Sequence, residues 1–241
     1  MMAITVININ HPAGLARKEV DISDANSRQV SSNQVGPHRS LAKLVIRHLA
    51  SDYQRPVAAH SERAFNAVRQ ALSDQSRPLV LDSFCGTGHS TLVLARRHPD
   101  HLVLGVDKSA HRLDRHPQED APGNYLLLRA DCEDIWQLLL HEGLTLDYHY
   151  LLYPNPWPKA RHLQRRVHAH GSFPRLLRLG GRVELRSNWQ VYVEEFGAAL
   201  HLAGHTSYVA MLPAGPALTL FEDKYRRSGH ALWCCVSKLA P

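Results

Sequence analysis

Four short apolar runs, each closed by an acid or a proline turn, constrain the fold of this 241-residue chain more than any other feature. They are Leu79-Val-Leu-Asp82, Leu102-Val-Leu-Gly-Val-Asp107, Tyr125-Leu-Leu-Leu-Arg-Ala-Asp131 and Tyr148 to Tyr153. Their side chains do not alternate apolar and polar, so both faces of each strand must be buried, as in a parallel sheet covered by helices. Helical periodicity lies between or around them at Ser90 to Arg97, Arg165 to Leu179 and Trp189 to Ala203. Gly180-Gly181 stops the second of these helices, and Arg182 to Arg186 reads as a fifth strand. Ser207 to Leu212 and Ala231 to Val236 make a final pair. The expected architecture is α/β: a mostly parallel seven-stranded sheet with helices on both faces and an antiparallel last strand.

Two further helical patterns, Ser40 to Ala50 and Pro56 to Leu72, precede the first strand. Residues 1–36 therefore read as an N-terminal extension of unspecified order, 37–78 as leading helices, and 79–241 as the main domain. A chain of this length suits one such core. No apolar run approaches the roughly 20 residues of a membrane helix, and Met1 to Asn10 lacks the basic and apolar regions of a secretory signal. The cytoplasm is the expected location. Cys85, Cys132, Cys234 and Cys235 form no C-x-x-C pair and suit reduced thiols. A net charge of +6, a pI near 9.3 and 17 histidines favour a polyanionic partner rather than a membrane span, for which the chain has no apolar run.

Ligands of open parallel sheets bind across the carboxyl ends of the strands. There Asp82-Ser-Phe-Cys-Gly86-Thr-Gly88 provides a turn whose glycines let backbone approach a ligand closely. Asp107, at what should be a solvent-facing strand end, can accept from both hydroxyls of a ribose, and Asp131 with Cys132 can read an adenine amino group. A G-x-G-x-x-G run and a phosphate-gripping turn are absent, so a nucleoside without phosphates is favoured over a dinucleotide. Ser83 and Ser90 stand in no G-x-S-x-G elbow, which disfavours a hydrolase. His201 and His205 share a helical spacing without further ligands, so no metal is expected. Trp136, Leu138 and Leu139 read as core.

After the fourth run comes Tyr153-Pro-Asn-Pro-Trp-Pro-Lys-Ala-Arg-His-Leu-Gln-Arg-Arg166. Its prolines stiffen the backbone that carries Asn155 and Trp157. Lys159, Arg161, His162, Arg165 and Arg166 follow as donors for a phosphate backbone, though any one of them alone reads as a solvated charge. This segment resembles the P-D-P-W-P-K-x-R-H…R-R signature of the bacterial tRNA guanine-N7 methyltransferases. Thr219-Leu-Phe-Glu-Asp-Lys-Tyr225 is similar to that family's T-x-[FY]-E-x-[KR]-[FY] motif, and Ser187-Asn-Trp189 occupies the place of its T-D-[NW] turn.

The resemblance implies a Rossmann-like class I methyltransferase fold, S-adenosylmethionine as cofactor, and tRNA or another structured RNA as substrate of a monomer or homodimer. It places Asp82, Gly86, Gly88, Asp107, Asp131 and Cys132 at the cofactor, and Asn155 as the catalytic residue between cofactor and target base. Lys159, Arg161, His162, Asn188, Thr219, Phe221 and Glu222 fall on the substrate side. Three departures stand out: amides replace the family's acids at Asn155 and Asn188, and Phe84 replaces the first glycine of the turn. Guanine N7 carries a free lone pair and no proton, so the amides bear on base selection more than on transfer. Two other readings stay open. Asn155-Pro-Trp partly resembles the [DN]-P-P-[YFW] motif of amino methyltransferases, and an inactive homologue could retain RNA or cofactor affinity alone.

Overall fold

The computed structural model describes residues 27–74, 76–117 and 121–240. Seven strands form one sheet: β1 (Leu79–Ser83), β2 (Leu102–Asp107), β3 (Tyr125–Arg129), β4 (Tyr148–Leu152), β5 (Gly181–Ser187), β6 (Ser207–Met211) and β7 (Trp233–Leu239). Their order is β3-β2-β1-β4-β5-β7-β6, with β7 antiparallel to both of its neighbours. The chain reverses direction of winding between β1 and β4, which opens a crevice at the carboxyl ends of those strands. This is the Rossmann-like class I methyltransferase fold.

The continuous apolar strands bury both faces as expected: every residue of β1 and β2 is buried. On one face Leu81, Leu104, Leu151 and Val183 pack beneath α1 (Leu41–Leu49), α2 (Ala59–Asp74), α5 (Cys132–His141), α6 (Phe173–Arg178) and α7 (Gln190–Leu202). On the other, Val80, Val103 and Tyr150 pack against Leu92 and Ala95 of α3 (His89–Arg97). Gly105 permits this second contact, because a Cβ there would lie 2.3 Å from Thr91 Oγ1. Trp136, Leu138 and Leu139 lie in the core. All four cysteines are free thiols; Cys234 is half-buried and the other three are buried.

Two expectations are corrected. The helix expected over Arg165 to Leu179 is instead two 3-10 turns, Ala160–Arg165 and Val167–Ala169, followed by the short α6. Pro174, without an N–H, can only begin a helix here, and the Tyr53 ring packs so close to Gly171 that a Cβ would meet it at 2.6 Å. Conversely, α4 (Ala110–Leu113) and α8 (Leu220–Arg227) form where no helix was expected. Both begin at a side-chain cap: Ser109 accepts from the Arg112 amide, and Thr219 accepts from the Glu222 amide at 2.9 Å.

Of the N-terminal extension, residues 1–26 lie outside the described residues. Residues 27–38 run as an irregular strap over the carboxyl end of the sheet. Ser27 donates its amide to Ser228 Oγ at the end of α8, Ser32 donates its hydroxyl to the Pro158 carbonyl, and Gln34 reaches Glu195 on α7.

Candidate functional site

A cavity of about 800 Å³ opens where β1 and β4 part. The turn after β1 forms its floor. Gly86 and Gly88 are left-handed with φ 63° and 75°, and a Cβ at Gly86 would meet nothing within 4 Å, which leaves that side open to a ligand. Phe84 takes the place of a glycine at φ 64°, with its ring edge-on to Trp136 at 6.2 Å. Tyr153 and Trp157, at φ 55° and 47°, frame the loop after β4. These are the three non-glycine residues with positive φ among the described residues, and all three line this cavity. Such conformations cost about 1–3 kcal/mol each and persist where surrounding structure imposes them for function.

Of the three acids predicted from the strand ends, Asp82 and Asp107 brace this turn and the helix after it, Asp131 stands apart, and none lines the cavity. Asp82 is fully buried and accepts from Ser90 Oγ at 2.6 Å and Thr91 Oγ1 at 2.8 Å, while its other oxygen has no hydrogen-bond partner. Burial pushes its carboxyl up to about 6, against the two hydroxyl bonds and with the aid of the Asp107 charge. Asp107 is 3% exposed, so the expectation of a solvent-facing carboxylate is corrected. It accepts the Gly86 amide at 3.0 Å and the Ser109 amide at 2.8 Å, with Arg112 at 3.0 Å across its outer side. Asp131 turns toward Arg55 at 3.5 Å and His60 at 3.7 Å. Cys132 Sγ accepts the Phe84 amide at 3.3 Å.

The carboxylate that lines the cavity is Glu133, in the first turn of α5. A further support lies behind the turn. His116 Nδ1 donates to the Thr87 carbonyl at 2.9 Å, which leaves Nε2 to accept from Tyr125 Oη at 2.9 Å. No motif pointed to either residue; Glu133 is legible only as an acid just inside a helix that starts at a strand end.

Above the floor, Asn155 lines the cavity and is exposed. Its Oδ1 accepts the Trp157 amide at 3.2 Å, so the NH2 is its free end. Trp157 carries the Arg165 guanidinium over its ring at 4.7 Å and His162 edge-on at 5.6 Å. Lys159 and Arg161 are exposed beside them. Arg166, expected among the RNA-facing cations, is instead fully buried: it donates twice to the Trp157 carbonyl and pairs with Glu195. A buried, paired guanidinium cannot meet a phosphate.

The opposite lip is the start of α8. Thr219 and Phe221 line the cavity, and Phe221 is 51% exposed, stacked on Tyr225 at 6.1 Å. Lys224 completes that wall. Glu222 faces inward and is spent on Arg186 at 2.9 Å and Arg226 at 3.0 Å. Asn188 also stands away from the cavity lining. His230 Nε2 donates to the Ser27 carbonyl at 2.8 Å, so its Nδ1 accepts from the Asn188 amide at 3.3 Å. An amide at position 188 thus offers a donor to the ring nitrogen that the Ser27 contact leaves as an acceptor, which an ionised acid would not.

The site is an apolar slot formed by Phe84, Trp136 and Leu152, with one carboxylate, Glu133, and cations along its rim. Residues 76–235 match the family model Methyltransf_4, described as "Putative methyltransferase". The chain belongs to that methyltransferase family. Among curated relatives, it is 28% identical to a tRNA (guanine-N(7)-)-methyltransferase of Neisseria meningitidis serogroup B, over 90% of this chain and 99% of the relative. It is also 28% identical to the Yersinia pestis protein of the same name, over 77% and 82%. Among solved structures, a 16S rRNA methyltransferase, KamB, superposes with a TM-score of 0.54 at 17% identity, covering 78% of this chain and 96% of that one. Methyltransferases of this fold take their methyl group from S-adenosylmethionine, and the slot suits it: an apolar bed for adenine, a carboxylate for hydroxyls and cations for the amino-acid carboxylate.

Proposed function

We propose that the protein methylates N7 of a guanine in tRNA. The observation that carries this reading is the rigid Tyr153–Pro158 loop, which presents the Asn155 NH2 at the cavity mouth opposite the exposed ring of Phe221. Guanine offers the acceptor O6 beside N7, so a donor amide suits the edge that must face the methyl group. Phe221 supplies a face on which an unstacked base can lie, and Lys159, Arg161, Arg165 and Lys224 supply phosphate contacts around it. Curated relatives that align over most of this chain carry the tRNA guanine-N7 name.

In the cofactor, S-adenosylmethionine supplies an electrophilic methyl on a sulfonium. When bound it would offer that methyl to the N7 lone pair, which carries no proton for the chain to remove. The chain's own task is therefore alignment within about 3.5 Å, worth several kcal/mol as effective molarity. Gly86 and the backbone around it, fixed from behind by Asp107, would hold the nucleoside together with Glu133, and Asn155 and Phe221 would hold the base. The amino-methyltransferase reading needs the Asn155 oxygen to accept from an exocyclic amine, and that oxygen is already turned to the Trp157 amide. A tRNA substrate places the protein in the cytoplasm, and among the described residues no helix is long and apolar enough to cross a membrane.

Labelled methyl donor, purified protein and total tRNA, digested to nucleosides, test the proposal. The expected product is 7-methylguanosine. Label on an exocyclic amino group, or none on RNA, refutes it.

A further inference from the structure

Behind the Trp157 loop, the Arg166 of the signature segment joins a buried polar cluster whose other members no motif included. Arg166, His168 and Glu195 are fully buried together. Glu195 Oε2 accepts from Arg166 Nη1 and from His168 Nε2 at 3.0 Å, while Oε1 accepts from Gln34 Nε2 at 2.6 Å and the His38 amide at 2.8 Å. Burial alone would raise this carboxyl; the hydrogen bonds and charges of His168 and Arg166 bring it down to about 2. Arg166 spends its remaining donors outward. Nε and Nη2 both reach the Trp157 carbonyl, at 3.3 and 3.2 Å, and Nη2 also reaches Gln34 Oε1 at 3.0 Å. Its guanidinium lies over the Trp189 ring at 4.8 Å, so it has one orientation available.

We infer that Glu195 and Arg166 are positioning residues for methyl transfer. Acting through the Trp157 carbonyl, they hold the left-handed backbone that aims Asn155 and the Trp157 ring, and through Gln34 they bind the strap to the same loop. A left-handed tryptophan relaxes unless its carbonyl is held, and two donors from one rigid fork fix both its position and its plane. A carboxylate with no rotational freedom fixes the fork in turn. The inference rests on the reading of the cavity as the transfer site, but the loop geometry can be measured without turnover.

Three variants test it: Glu195→Gln, Arg166→Lys, which keeps the buried charge and loses the double contact, and Gln34→Ala, which lies on the strap and does not threaten the core. Each is compared with wild type for kcat per cofactor-binding site, tRNA affinity by filter binding, and Trp157 fluorescence, taken as the difference from a Trp157→Phe background. The expected result for Arg166→Lys is at least a tenfold loss of kcat with tRNA affinity within twofold, and an altered Trp157 emission. Gln34→Ala should show the same pattern in weaker form. A kcat per site within twofold of wild type together with unchanged Trp157 emission in Arg166→Lys overturns the inference, whether or not Glu195→Gln folds. If wild type transfers no methyl to RNA, the functional reading fails by itself. In that case the emission decides alone: an altered signal supports the positioning pair, and an unchanged one overturns it.

Discussion

Asp82 is a buried carboxylate held by hydroxyls, and this gives it a pH signature. Its folded-state value near 6 lies above the ordinary 3.8, so the folded chain binds its proton more tightly than the unfolded one. The stability it contributes is complete below about pH 4 and is lost as pH rises to about 6. Asp82→Asn should therefore gain on wild type across that window, by on the order of 2–3 kcal/mol at neutral pH, read from urea melts at successive pH values. Equal slopes for the two proteins would refute this assignment of the charge. The residue types at the strand ends were legible in sequence, because acids after apolar runs are conspicuous. Their duties were not. Whether a carboxylate faces a ligand or a hydroxyl depends on which neighbours claim its oxygens, and Ser90 and Thr91 sit on the next helix. The amide at 188 was likewise visible as a departure, while its partner, His230 forty-two residues on, lay in tertiary contact.

At the level of elements, α8 shows how a motif that resembles a substrate signature also builds structure. Thr219 and Glu222 have the spacing of a capping box, and the Thr219 half of it is made. Glu222 then joins Arg182, Glu184, Arg186 and Arg226 in a line of alternating charges that fastens the helix to β5. Thr219→Val should cost about 1 kcal/mol for the lost cap. Glu222→Ala leaves Arg186 with Glu184 alone, removes the carboxylate that Arg226 pairs with, and should cost more, on the order of 2 kcal/mol. Thermal melts rank the two; the reverse order would mean that the charge line carries little. The parallel sheet, covered on both faces, was legible because continuous apolar runs admit few alternatives; the order of its strands was not. The broken helix after Arg165 was not, since its apolar spacing is helical and only the packing of Tyr53 on Gly171 and the position of Pro174 divide it.

For the whole molecule, the positive excess becomes useful where it is exposed. Lys159 and Arg161 stand free at the mouth, whereas Arg166 does not, so replacing Lys159 and Arg161 by alanine should lower the salt dependence of tRNA binding by about one log unit of slope per contact. Filter binding over a range of salt measures it, and an unchanged slope would move the RNA path elsewhere. The strap was the part of the architecture least legible in sequence: residues 27–38 have no periodicity, and their order comes from partners at Pro158, Glu195 and Ser228. Those partners have a consequence in time. Ser27 is bound by Ser228 and His230, across 201 and 203 residues of chain. During synthesis the cofactor turn emerges early, yet the rim it serves stays unfinished until α8 has left the ribosome. The rim therefore closes only through contacts that wait for residues 228 and 230 to be made.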